Sequence, residues 1–155
     1  MAGKVKPIPE GYHTLTPYLV VENGARVVEF LEKAFGATVA NRMDHPDGSL
    51  WHADLKVGDS HVMLGGASAE SPPVSASIYV YVEDVDADYG RAIQAGGISI
   101  MPPQDMFYGD RHGGVKDPSG NSWWIATHIE DVAPEELKKR AEKAEKDRQR
   151  SAQSA

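Results

Sequence analysis

The chain has no cysteine among its 155 residues, which removes the disulfide, the thiolate nucleophile and the zinc–thiolate centre. It has no long hydrophobic run either. No stretch approaches the roughly 18 apolar residues that read as a membrane span. Met1-Ala2-Gly3-Lys4 leads into a polar, proline-containing segment without the apolar core of a secretory signal, so the expectation is a cytoplasmic protein. Basic charge is scarce: 16 Lys and Arg stand against 23 Asp and Glu, for a net charge of −7. A general affinity for nucleic acid or for an anionic membrane is therefore not expected. A phosphate loop is missing too. "DHPDGSL" (44–50) and "FYGDRHGG" (107–114) are glycine-bearing and acidic, but neither runs from a strand into a helix with the glycines and lysine of a P-loop.

What remains is 41% apolar residues, 15 Gly and 10 Pro, enough for one compact domain or two small modules sharing a core. Charge is unevenly spread. Residues 134–150 hold seven Lys/Arg and five Asp/Glu, so a slightly basic tail (131–155) follows an acidic body. Pro134 suits a first helical position, and Ala, Glu, Lys and Arg dominate the segment. Glu135–Lys139, Glu136–Arg140 and Glu142–Lys146 have favourable i,i+4 spacing. With Leu137 as its one large apolar residue, this helix buries little.

The body repeats itself. "LVVENGARVVEFLEKAFGA" (19–37) matches "VYVEDVDADYGRAIQAGGI" (80–98) at an offset of 61 residues, and the same shift lays "VGDS" (57–60) over "PSGN" (118–121). Each half opens with a strand, at 13–21 or 75–83. Asn23 or Asp84 follows as an expected helix N-cap. Val27, Phe30, Leu31 and Ala34 in the first half, and Val85, Tyr89, Ala92 and Ile93 in the second, recur at helical spacing, with Gly36 and Gly96-Gly97 as terminators. Strands are expected at 38–43, 49–57 and 60–66, then at 98–102, 111–117 and 121–127. The fold class is α+β: two βαβββ modules, 13–66 and 76–130, with an N-terminal arm (1–12), a linker (67–75) and a C-terminal charged helix. One helix covers one face of each sheet and leaves the other face free to line a cup.

The paired βαβββ pattern, the Gly-Gly after the second helix and the "DPSGN" turn (117–121) resemble the vicinal oxygen chelate superfamily, the glyoxalase, bleomycin resistance protein and dioxygenase group. "YGDRHGGVKDPSGNSWWIATH" (108–128) is most similar to its PhnB-like branch. The resemblance covers roughly residues 12–130 and implies a cupped mixed sheet, frequent homodimers, and metal ligands drawn from His, Glu and Gln on the first and last strands of each module. Carried over through the turn and the 61-residue shift, those positions are Thr16, Met63, Ser77 and Trp124. Hydroxyl, thioether and indole groups are poor ligands for the hard or borderline metals the family uses. No metal at the family site and no other cofactor are therefore expected.

Alternation along the strands places Tyr18, His61, Met63, Tyr79 and Trp124 in the cup, and the resemblance implies Tyr108 and His112 there too, with Asp110 and Gly114 on the same side, giving an aromatic wall with two histidines that suits a small organic ligand. Each has a plain structural reading beside it: Tyr18, Tyr79 and Trp124 as core aromatics, His112 as a loop tether, His61 as an exposed residue after a turn. Arg111 has outward parity and is expected to pair with an acid. The repeat puts Trp51, Ala53 and Leu55 inside and His52 and Asp54 outside, while a tight turn at Gly58-Asp59 would reverse that and bring His52, Asp54 and His61 together as a displaced metal site. Three functional readings stay open at this point, one of them a subunit whose cup is filled by its own side chains and whose role is interaction alone. Another is a metal-free small-molecule binder of the bleomycin-resistance type. The third is a lyase, isomerase or dioxygenase-type enzyme with or without a metal, in which His112 acts as acid or base.

Overall fold

Val27, Phe30, Leu31 and Ala34 all lie buried on one face of α1 (Gly24–Phe35) in the computed structural model, which describes residues 5–154. The first four residues of the arm and the last of the tail lie outside the described residues. Gly36, at φ 62°, closes α1 with its N–H on the Glu32 carbonyl, and the Ala37 N–H returns to Leu31; only a residue free of Cβ strain sits easily there. The side-chain cap expected at Asn23 is not made. Asn23 takes the left-handed conformation at φ 53°, and its carbonyl accepts from the Arg26 and Val27 N–H groups instead. In α2 (Val85–Gln94) the expected cap forms, with Asp84 accepting from the Ala87 N–H at 3.0 Å. Ile93, expected on the core face, is 37% exposed. The buried stripe of α2 runs Val85, Asp88, Ala92, and Ile93 falls one step off it.

The strands follow the repeat. β1 (Tyr18–Val21), β2 (Thr38–Asp44), β3 (Leu50–Val57) and β4 (Ser60–Gly66) form one four-stranded sheet in the order β1-β4-β3-β2. β5 (Ser77–Tyr81), β6 (Ile98–Asp105), β7 (Asp110–Lys116) and β8 (Ser122–His128) form a second in the order β5-β8-β7-β6. Both are mixed: the first strand runs parallel to the fourth, and the remaining pairs are antiparallel. β1 begins at Tyr18, later than the expected 13, because the ladder opens only where Tyr18 sits opposite Met63.

The helix-side faces of the two sheets merge into one core. Leu19, Val21, Val62, Leu64, Ala53 and Leu55 of the first sheet join Val115, Trp123 and Ile125 of the second. Phe35 of α1 packs on Trp123 with ring centroids 5.5 Å apart, and the Arg91 Nε–H reaches the Ala34 carbonyl. The helices therefore meet between the modules, and each sheet keeps its opposite face open. Of the two parities open for β3, the tight-turn one is realised: Ala53 and Leu55 point into this core and Trp51 lies exposed against His45, while His52 and Asp54 share the open face with His61 and Met63. A tight turn at Gly58 (φ 58°), which pairs Val57 with Ser60, sets that register.

The "DPSGN" turn is tied down by one carboxylate. Asp117, 4% exposed, accepts from the Ser119 and Asn121 backbone N–H groups, from Asn121 Nδ2 and from Trp123 Nε1, at 2.8–3.1 Å. Fully buried Asn121 then accepts from the Ala76 N–H, locking the turn to the lead-in of β5. The tail forms α3 (Pro134–Gln153) with Pro134 at its first turn and none of its residues buried. Of the anticipated pairs, Glu136–Arg140 is made, and Arg140 also grips Glu130. Among the described residues no helix is long and apolar enough to cross a membrane.

Candidate ligand site on the open sheet faces

Strand register divides the seven candidate residues into two groups. On the first sheet, Tyr18 and Met63 are direct neighbours, and His61 lies two residues before Met63 on the same face. On the second, Tyr79 sits opposite Trp124, Trp124 opposite Gly114, and His112 opposite Ala126. Tyr108, just ahead of β7, joins this second group through its hydroxyl, 2.9 Å from His112 Nδ1. A cleft of about 1130 Å³ between the sheets is lined by His61 and Tyr79 but by none of the other five candidates.

The second face is the richer one. Trp124 lies flat across Gly114, where a Cβ would fall 2.5 Å from a ring carbon, and its ring centroid is 5.8 Å from that of His112. Its Nε1–H donates to Ser77 Oγ at 2.9 Å. Beneath these rings lies a carboxylate that sequence reasoning placed on the cavity side without giving it a role. Asp110, 4% exposed, accepts from the Tyr79 hydroxyl (2.9 Å), the Tyr81 hydroxyl (2.9 Å) and His128 Nδ1 (2.8 Å). Tyr79 also lies 3.1 Å from His112 Nδ1, and His128 Nε2 meets Asp131 at 2.9 Å. Tyr81 and His128 escaped the sequence reading although both share the parity of Tyr79 and Trp124. The signal was there in the alternation, two residues beyond Tyr79 and four beyond Trp124.

Electrostatics follow the contacts. Burial pulls His112 below the ordinary histidine value, against a smaller opposing pull from Asp110, so the ring is neutral near pH 7. Burial also acts to raise Asp110, but the bonds from His128, Tyr79 and Tyr81 outweigh it and hold the carboxyl below its usual range. His128 is raised by its bond to Asp110 first and to Asp131 second. The Tyr79 hydroxyl is pushed up by burial and then by Tyr108 and Asp110.

On the first face, Asp54 is buried and takes a hydrogen bond from the Tyr12 hydroxyl on one oxygen and from His61 Nδ1 at 2.8 Å on the other. Tyr12 stacks on His61 with centroids 3.9 Å apart, and Gly11 lies beside His61 Nε2. The N-terminal arm thus covers His61, which is not the exposed turn residue its sequence position also allowed. His52 stacks instead on Tyr18, 6.0 Å away. Among the described residues no three His, Asp or Glu side chains gather as a metal site. His52 turns to Tyr18, and both Asp54 oxygens are already engaged. The four positions the fold would offer a metal do not fit one either: Ser77 and Trp124 satisfy each other, and Thr16 and Met63 bring no carboxylate or imidazole.

The profile of the Glyoxalase/Bleomycin resistance protein/Dioxygenase superfamily matches residues 12–125, both modules almost entire. The chain belongs to that superfamily. An uncharacterised protein of Mycobacterium bovis is 35% identical over 134 residues, covering 79% of this chain and 88% of its own. A Mycobacterium tuberculosis protein, also uncharacterised, gives the same identity over 79% of each chain. Among solved structures of the superfamily fold, TioX from Micromonospora is similar at a TM-score of 0.64 and 28% identity, with 76% of this chain and 99% of TioX covered. TnmS3, an antibiotic binding protein from Streptomyces, aligns at a TM-score of 0.60 and 20% identity over 75% of this chain and 95% of its own, a likeness of fold.

Proposed function

We propose that this superfamily member binds a small, planar organic molecule on the aromatic face of the second sheet, without a metal at the family position. One observation carries the reading. Where the fold would put ligands for a metal, Trp124 donates to Ser77, and around that pair Tyr79, Tyr81, Tyr108 and His112 form an aromatic patch with a few fixed polar groups. That is the composition small organic ligands favour. The reading takes the protein as a cytoplasmic homodimer of the PhnB-like branch. Tyr18, Tyr79, Tyr81 and Ile98 are exposed on the open faces of one chain, and the sheet of a second copy set opposite would close a cup over them. That an antibiotic binding protein shares the fold agrees with this use of it.

The test is a titration of the purified protein with 2-naphthol, followed by tryptophan fluorescence and calorimetry, beside elemental analysis for metals. Saturable binding that Trp124→Leu weakens at least tenfold supports the reading. Stoichiometric metal required for binding, or binding indifferent to Trp124, overturns it.

A metal-free lyase or isomerase is the second reading, and it rests on the other face. A buried carboxylate holding His61 by Nδ1 fixes the ring in one orientation, as a general base requires. Loss of turnover in His61→Gln with ligand affinity intact would favour it.

A further inference from the structure

We infer that the ligand of this cup presents a hydrogen-bond donor, a ring hydroxyl or N–H, to Nε2 of His112. The inference rests on the binding reading above and deepens it, because proton bookkeeping around Asp110 fixes which nitrogen of His112 is bare. A phenol has one proton to give. Asp110 is an ionised acceptor, and Tyr79 spends its proton there, 2.9 Å away. Toward His112 Nδ1, at 3.1 Å, Tyr79 then offers only lone pairs. A bare Nδ1 could accept from the Tyr108 hydroxyl at 2.9 Å but would still set lone pair against lone pair toward Tyr79. A protonated Nδ1 donates to Tyr79, with the Tyr108 oxygen at 2.9 Å as a second acceptor.

Burial keeps the ring neutral, so a proton on Nδ1 leaves Nε2 as an acceptor. Nε2 takes no partner among the described residues and is not sealed from solvent. The neighbouring donors are spent: Trp124 on Ser77, Tyr79 and Tyr81 on Asp110. Tyr108 keeps its own hydroxyl proton, but it can donate to the oxygen of a phenol and of an ether alike, so discrimination rests at Nε2. A ligand that puts an ether or carbonyl oxygen against Nε2 meets an acceptor with an acceptor and loses the bond. A phenol or an indole-type N–H completes it.

The experiment compares 2-naphthol with 2-methoxynaphthalene, which share the ring system and differ in the donor, by calorimetric titration of the full chain. The expected result is at least tenfold tighter binding of 2-naphthol, about 1.4 kcal/mol, although the ether is the more apolar probe. Tyr79→Phe should bring the ratio of the two affinities down to about threefold or less, because Nδ1 is then free to accept from Tyr108. Equal affinities, or a preference for the ether, overturn the inference and leave the binding reading standing. Failure of both probes to bind overturns the binding reading. In that case the ¹⁵N shifts of the His112 ring decide the inference: a protonated Nδ1 near pH 7.5 upholds it, and a protonated Nε2 sinks it.

Discussion

Asp117→Ala is the sharpest test of how the second module is held together. The carboxylate accepts four hydrogen bonds, and three of the donors, Asn121 N, Asn121 Nδ2 and Trp123 Nε1, belong to residues no more than 2% exposed. The Ser119 N–H lies in a part-buried turn and can turn to water. Each buried donor left without a partner costs about 1–3 kcal/mol. Three such donors at the lower bound give about 3 kcal/mol, and about 5 if water stays out, the top of the range for single substitutions. For a chain of this size a loss of about 3 kcal/mol lowers Tm by about 6–12 °C. Asp117→Asn keeps one acceptor but turns an amide N–H toward Trp123 Nε1 or Asn121 Nδ2, so it should lose roughly half as much. Urea denaturation followed by circular dichroism and tryptophan fluorescence gives both numbers. A loss under about 1 kcal/mol for Asp117→Ala would refute the claim that this carboxylate organises the turn.

Two further outcomes are expected. Gly114→Ala places a methyl 2.5 Å from the Trp124 ring and 3.3 Å from Ile100 Cβ; overpacking of this kind costs about 1–3 kcal/mol, and the displaced ring should weaken 2-naphthol binding more than tenfold while Trp123 keeps its near-UV signal. For His128 the folded value lies above the ordinary value of about 6.5. Its stabilising contribution is then fully present below about pH 6.5 and lost as pH rises through the folded value. The Tm deficit of His128→Gln should therefore be largest near pH 6 and shrink toward pH 9; a deficit that grows with pH would contradict the assignment.

Much of the architecture was legible because periodicity and turn chemistry are local. The 61-residue shift, the apolar stripe Val27-Phe30-Leu31-Ala34 and the "DPSGN" turn each reflect constraints acting within a few residues, and they place two βαβββ units and eight strands close to where the structure has them. Alternation on β5 and β8 likewise set Tyr79 and Trp124 on one face. At β3 the same local logic left both parities open. The repeat aligned Trp51, Ala53 and Leu55 with cup positions, but a single tight turn at Gly58 exchanges the two faces of a strand, and the buried core selects the register that hides Ala53 and Leu55.

The sequence by itself determined the modules, their order and the acidic body, since each is a matter of residue identity or short-range spacing. Only the tertiary structure decided which distant polar groups meet. Asp110 gathers Tyr79, Tyr81 and His128 across 18 to 31 positions of chain, and Tyr12 reaches Asp54 across 42. Such contacts leave no periodic trace, because they are made by the packing of strands against one another and by a buried carboxylate drawing in whatever donors that packing brings within reach.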